Sequence, residues 1–195
     1  MKLTIDRMSL LRPLGHVQSV VERRNTIPIL ANVVLRAEDG QLSLTATDMD
    51  MDIVATEVGC AVGTSGTTTM SAHMLYDIAR KLPDGALVTL EDEGVTGRLT
   101  VEAGRSNFSL ATLPKEDFPI MASSDYAANF SIKASVLRRL FDKSKFAIST
   151  EETRYYLNGV YMHIAAVDGG NALRCVATDG HRLARIDADV PAGAG

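Results

Sequence analysis

The sequence predicts an α+β fold made of tandem like units, amphipathic helices lying on antiparallel sheet. Two observations carry that prediction. First, Leu42-Ser43-Leu44-Thr45-Ala46-Thr47-Asp48 returns as Leu173-Arg174-Cys175-Val176-Ala177-Thr178-Asp179, both reading L-x-x-x-A-T-D, 131 residues apart. The echo extends upstream at an offset of 127: Leu3, Thr4, Ile5 and Leu10 align with Phe130, Ser131, Ile132 and Leu137, and Leu30, Val33 and Leu35 with Leu157, Val160 and Met162. Second, apolar residues in both copies switch between helical spacing and strict alternation, the periods of a half-buried helix and a half-buried strand. Few architectures repeat at this length. The drift from 127 to 131 predicts a longer turn in the second copy, 165–171 against 38–41. On this reading 1–122 is one domain, 123–129 a linker, and 130–195 an incomplete second domain. A full second copy would reach about residue 250 at the same period, so the chain reads as a fragment.

The elements follow in order. Leu3 and Ile5 start a strand. Leu10, Leu11, Leu14, Val17, Val20 and Val21 fall at helical spacing, and Pro13 within them should start or kink that helix. Residues 29–35 form an apolar strand, Asp39-Gly40 a turn, and 42–47 an alternating strand that Met49, Met51 and Ile53 continue. Residues 63–69 are a Gly/Ser/Thr loop or weak edge strand. Ser71 caps a helix bearing Met74, Leu75, Ile78 and Leu82, stopped by Pro83-Asp84-Gly85. Strands at 86–90, 98–102 and 108–113 complete the first unit. The second begins with a strand at 130–132 and a helix capped by Ser135. That helix carries Val136, Leu137, Leu140, Phe141 and Ser144 on one face and Arg138, Arg139, Asp142 and Lys143 on the other. Strands at 155–164, 173–177 and 183–187 follow.

Composition narrows the function. Residues are 46% hydrophobic but only 5% aromatic, with no Trp, so the cores are aliphatic. Cys60 and Cys175 match no metal or redox spacing and read as reduced, buried thiols of a cytoplasmic protein. The N-terminus lacks an apolar signal core, and no run reaches membrane-spanning length. Net charge is −4, yet charge is sorted along the chain. Residues 1–36 hold Lys2, Arg7, Arg12, Arg23, Arg24 and Arg36 against Asp6 and Glu22; 37–69 hold six acids and no Lys or Arg; 131–150 hold Lys133, Arg138, Arg139, Lys143 and Lys145 against Asp142. A sorted field lets an acidic molecule bind a polyanion on one surface. Lys and Arg spaced along phosphates bind DNA without reading bases. Arg138 and Arg139 are candidates for this, against the reading of a merely solvated face. Tyr155 and Tyr156, beside Arg154, offer either a stacking surface for single strands or a strand with one ring buried.

Catalytic and metal readings are weaker. Asp48, Asp50 and Asp52 open like a calcium loop, but the positions needing Gly and a bidentate Glu hold Ile53 and Gly59. The four histidines, His16, His73, His163 and His181, lack zinc spacing. Asp179 and His181 form a possible catalytic pair without a nucleophile elbow, and more simply a turn. No phosphate loop is present. The expectation is no metal, no cofactor and no catalysis; the alternative is a metal-dependent or hydrolytic enzyme using Asp48/Asp50/Asp52 or Asp179/His181.

Longer motifs then converge. Thr153-Arg154-Tyr155-Tyr156-Leu157-Asn158-Gly159, Ala177-Thr178-Asp179-Gly180-His181-Arg182-Leu183-Ala184, Leu82-Pro83-Asp84-Gly85 and Gly104-Arg105-Ser106-Asn107-Phe108-Ser109-Leu110 together make the whole chain resemble the bacterial DNA sliding clamps, the β subunits of DNA polymerase III. The resemblance implies a clamp fold: three like domains per chain, the third absent here, with two chains closing head-to-tail around duplex DNA, basic-faced helices inside and sheets outside. It implies a non-catalytic processivity factor. Arg24 would contact duplex DNA, and Tyr155 and Tyr156 the template single strand. At 151, where the family commonly has an amide, this chain has Glu. Leu157, Thr178, Gly180, His181, Arg182 and Leu183 would form half of a groove for a short motif of the polymerase and clamp-loader subunits. Met74 (where the family often has a basic residue), Ile78, Phe108 and Leu110 would line a subunit interface.

Overall fold

The computed structural model describes residues 1–22, 26–94, 96–119 and 129–194. The chain divides into two compact units, 1–122 and 123–195.

The first unit runs β1 (Lys2–Asp6), α1 (Arg7–Val17), β2 (Asn32–Glu38), β3 (Gln41–Thr47), β4 (Asp52–Val58), β5 (Ala61–Thr64), β6 (Gly66–Ser71), α2 (Ala72–Lys81), β7 (Leu87–Asp92), β8 (Arg98–Ala103) and β9 (Ser106–Ala111). The strands form two antiparallel sheets, ordered β5-β1-β7-β8-β9 and β4-β3-β2-β6. One aliphatic core joins them: Leu3, Leu10, Leu14, Leu35, Leu42, Leu44, Leu75, Leu90 and Leu99 are all fully buried. Alternation produces this, since each strand turns every second side chain to the same face.

α1 starts at Arg7 because the Asp6 carboxylate accepts from the backbone N–H groups of Met8 and Ser9, at 2.8 and 3.3 Å. The helix ends at Val17, so Val20 and Val21 follow it rather than belonging to it. Pro13 lies inside the helix with its ring buried, not at its start. Ser71 caps α2 through the N–H of Met74. Residues 63–69 are not a loop but the junction of two strands: β5 pairs with β1 and β6 with β2, so the chain crosses from one sheet to the other there. The alternation expected through Met49 and Met51 breaks at Asp48. Its carboxylate accepts from the N–H groups of Asp50 and Met51, which turns the chain before β4.

The second unit contains α3 (Ala134–Ser144) packed on a three-stranded antiparallel sheet of β10 (Tyr161–Val167), β11 (Gly170–Thr178) and β12 (Leu183–Asp189). Leu140, Leu173 and Cys175 form its buried centre. Three expectations fail here. Residues 130–132 are not a strand; among the described residues of this unit nothing pairs with them as β5 and β7 pair with β1. Ser135 does not cap α3. The cap position is Lys133, which contributes only its carbonyl, to the N–H groups of Val136 and Leu137. Residues 155–160 are not strand: Glu152–Leu157 is a 3-10 segment.

The repeat offset also has a different cause from a longer turn. Leu35 faces Leu44 in the first hairpin, and their counterparts Met162 and Cys175 face each other in the second. Both hairpins close through two residues, Asp39-Gly40 and Asp168-Gly169. The four extra residues therefore lengthen both strands by two each. An even extension keeps every side chain on its face, which an odd one would reverse.

Candidate functional site

α3 buries Leu140 and Ser144 against the sheet and exposes Arg138, Arg139 and Lys143. Asp142 on the same face bonds Lys145 at 2.7 Å and Arg138 at 3.4 Å. The Lys145 ammonium, and then Arg138, holds its carboxyl below the usual range. Among the described residues Arg139 and Lys143 form no ion pair, so the face keeps an uncompensated positive edge. The first helix differs. Arg7 is buried, donating to the carbonyls of Ala79 and Arg80 at 2.9 and 2.8 Å and pairing with Asp84. It caps the C-terminal end of α2, where the helix dipole favours a cation, and does not belong to an exposed basic face. Arg24 lies outside the described residues.

Tyr155 and Tyr156 are 78% and 71% exposed, their rings edge-to-face at 5.9 Å. Both rings stand in solvent, on a 3-10 segment rather than a strand. The segment is held from both ends. Ser149 N–H donates to the Leu157 carbonyl at 3.1 Å. Asn158, with its amide nitrogen inward, donates to the carbonyls of Ser149 and Arg154 at 3.0 and 3.2 Å. Arg154 pairs with Glu151 at 3.1 Å and reaches the Asp179 carbonyl at 3.5 Å. Leu157 is half-buried.

Thr178, Gly180, His181, Arg182 and Leu183 come together at the β11–β12 turn. Thr178 Oγ1 donates to the Arg182 carbonyl at 2.7 Å and accepts from Gly180 N–H at 3.1 Å. Asp179 Oδ1 accepts from the N–H groups of His181 and Arg182 at 3.0 and 2.9 Å, and Oδ2 from Arg182 Nε at 2.9 Å. Those two amides, Arg182's first, lower its pKa to about 2. The Asp179 carboxylate thus meets the backbone of His181, not its ring, and serves the turn. Arg182 also lies 5.7 Å over the exposed ring of Phe146, a neighbour that no motif or spacing signals. Leu183 follows the turn 64% exposed.

The first copy of the motif builds the same turn. Thr47 Oγ1 donates to the Met51 carbonyl at 3.1 Å and accepts from Met49 N–H at 3.1 Å, while Asp48 takes the amides of Asp50 and Met51 at 3.0 and 2.8 Å. The repeated Thr-Asp is a turn-building pair in both units. Asp48 is therefore committed to backbone, and the D-x-D-x-D run spans a turn and the start of β4. Both units also enter the strand before the hairpin through a 3-10 turn, Pro28–Ala31 and Glu152–Leu157. In the first unit Ile29 and Leu30 are buried under Phe118. In the second, the corresponding Leu157 is only half-buried.

Met74, Ile78 and Phe108 line one groove of about 490 Å³ between α2 and β9. Leu110 lies on the same side of β9, and β9 is the edge of the five-stranded sheet.

With this geometry in place, family models decide the kinship. The model described as "DNA polymerase III beta subunit, N-terminal domain" matches residues 1–122, and that of the central domain matches 131–194. The chain belongs to the DNA polymerase III beta subunit family. A beta sliding clamp of Caulobacter vibrioides is 55% identical over all of this chain and 52% of its own length; one from Escherichia coli K12 is 41% identical over 94% and 49%. The crystal structure of a DNA polymerase sliding clamp from Caulobacter crescentus superposes with a TM-score of 0.92 at 54% identity, covering all of this chain and 52% of that one. A sliding clamp from Bartonella birtlesii bound to griselimycin gives 0.93 at 46%, covering 99% and 51%. The chain spans about half the length of the curated relatives it matches. Among the described residues no helix is long and apolar enough to cross a membrane.

Proposed function

We propose that this chain serves in a DNA sliding clamp, a non-catalytic subunit that stays on duplex DNA without reading its sequence and tethers DNA polymerase III. The observation that carries the reading is the α3 face, where Arg139 and Lys143 stand exposed and without an ion pair among the described residues, in a chain of net charge −4. A clamp needs weak, non-directional attraction to phosphates, because tight contacts would stop it sliding. Arg24 would add to that contact, and Tyr155 and Tyr156 would stack on template single strand.

Leu157, Thr178, Gly180, His181, Arg182 and Leu183 form one side of a groove for a short motif of polymerase and clamp-loader subunits. Half-buried Leu157 and exposed Leu183 supply the apolar floor, and a turn locked by Thr178 and Asp179 supplies a rigid rim. Met74, Ile78, Phe108 and Leu110 belong to the head-to-tail subunit contact, at the open edge of β9. The working compartment is the cytoplasm.

The test is duplex binding of this chain across a salt series at low ionic strength. Arg138→Ala and Arg139→Ala together should lower affinity and flatten the log K–log salt slope by about 0.9 per lost phosphate contact. An unchanged slope assigns the face to solvent and removes the reading's main support.

A further inference from the structure

The matching turns place a second groove in the first unit. Thr47, Met49, Asp50, Met51 and Asp52 occupy the positions of Thr178, Gly180, His181, Arg182 and Leu183, one motif period earlier. Beside that turn, a groove of about 620 Å³ crosses the outer face of the β4-β3-β2-β6 sheet. Val34, Val54, Phe118 and Pro119 give it apolar walls. Phe118 is held by packing on Ile29 and Leu30. Val54 in the lining is 62% exposed, and Met49 and Met51 in the turn before β4 are 56% and 52% exposed.

This turn is more acidic than the second-unit turn, where Arg182 pairs with Asp179 at 2.9 Å. Where the second unit has His181 and Arg182, this one has Asp50 and Met51, flanked by Asp48 and Asp52. Arg36 in the groove is already paired with Glu38 at 2.8 Å. The lining also carries one lysine, Lys115, with the acids Asp52 and Glu116. The surrounding 37–69 stretch supplies six acids and no Lys or Arg.

We propose that this groove docks a basic, apolar peptide segment of a partner protein. Apolar side chains sit over Val34, Val54 and Pro119, and Lys or Arg side chains meet Asp52 and Glu116, with Asp50 exposed in the adjoining turn. Exposed methionines suit such a surface because their unbranched thioethers adapt to varied partners. The proposal rests on reading the second-unit turn as a docking edge, and its test separates the two.

The probes are three labelled peptides of equal length, alternating Lys-Leu, Lys-Ser and Glu-Leu, followed by fluorescence anisotropy at physiological salt. The Lys-Leu peptide should bind at least about tenfold tighter than either other, since neither charge nor apolar contact alone suffices. Val54→Ser and Asp52→Lys, both on the exposed face of edge strand β4, should each weaken it about three- to tenfold; Leu183→Ser should leave it unchanged. Equal binding of Lys-Ser would mean charge alone and would overturn the proposal. So would loss with Leu183→Ser, which would move the site to the second unit. Should the second-unit groove later fail to bind a clamp-loader peptide while Asp52 and Val54 still govern Lys-Leu binding, the groove reading under Proposed function falls and this one stands.

Discussion

Met49 and Gly180 occupy the same position in the same turn, at φ 79° and 88°. The left-handed conformation costs a side chain about 1–2 kcal/mol, while Gly loses more backbone freedom on folding, about 0.5–1 kcal/mol. Met49→Gly should therefore raise the stability of the first unit by up to about 1 kcal/mol in denaturant melts. Gly180→Ala should lower that of the second, because a Cβ there also stands 3.1 Å from Arg154 Nη1. The neighbouring carboxylate sets a pH dependence. Asp179 has its folded pKa lowered to about 2 by the amides of Arg182 and His181. A depressed acid stabilises the fold fully above its unfolded pKa, near 3.9. That contribution is lost as pH falls from there through about 2. Amide exchange of His181 and Arg182 should accelerate across that window and be flat from pH 5 to 7 once intrinsic rates are removed; Asp179→Asn should abolish the transition. The Thr-Asp pair was legible as a repeat, but its role in bonding the turn was not, because side-chain-to-backbone bonds leave no periodic trace.

The two unit-opening helices make a paired comparison at the scale of elements. Asp6 caps α1 with its carboxylate, and its repeat counterpart Lys133 stands before α3 with no side-chain cap. A lysine there leaves amide donors unmet and sets a positive charge against the positive end of the helix dipole. Lys133→Asp should stabilise the second unit by about 1–2 kcal/mol, read as a shift of its denaturation midpoint. A shift within about 0.3 kcal/mol would mean the new carboxylate does not reach the Ser135 or Val136 amides. Sequence reasoning named Ser135 because it carries a capping side chain, but a cap is chosen by where the backbone leaves the helix. The same limit applies to Arg7. Its charge read as part of a basic surface, yet the approach of α1 to the C-terminal end of α2 buries it against the carbonyls of Ala79 and Arg80. Residues 155–160 read as strand because they are aromatic and apolar; local bonds from Ser149 and Asn158 fold them into a 3-10 segment instead.

Across the whole molecule, the cores of the two units differ in size. The first buries one continuous cluster between two sheets and two helices; the second buries Leu140, Leu173 and Cys175, with Ala147, Ala177 and Ala184 as a smaller satellite. Apolar burial scales with the core, so the second unit has the smaller reserve against chain entropy. Denaturant unfolding of this chain should show two transitions, the first exposing Cys175 to thiol labelling and the second exposing Cys60, both buried in the folded chain. A single coincident exposure would mean the units unfold as one. By itself the sequence determined the α+β class, the tandem repeat, nearly all strands of the first unit, the amphipathic faces of α2 and α3, and the family resemblance. Period and spacing are properties of the chain, and burial follows them wherever an element packs on one face. Tertiary structure decided the rest: which basic residues stay in water, that 63–69 joins two sheets, that the added residues lengthen strands rather than a turn, and that Leu30 is buried with Phe118 while Leu157 is only half-buried. Each depends on what a distant segment places nearby, and short-range patterns do not encode those neighbours.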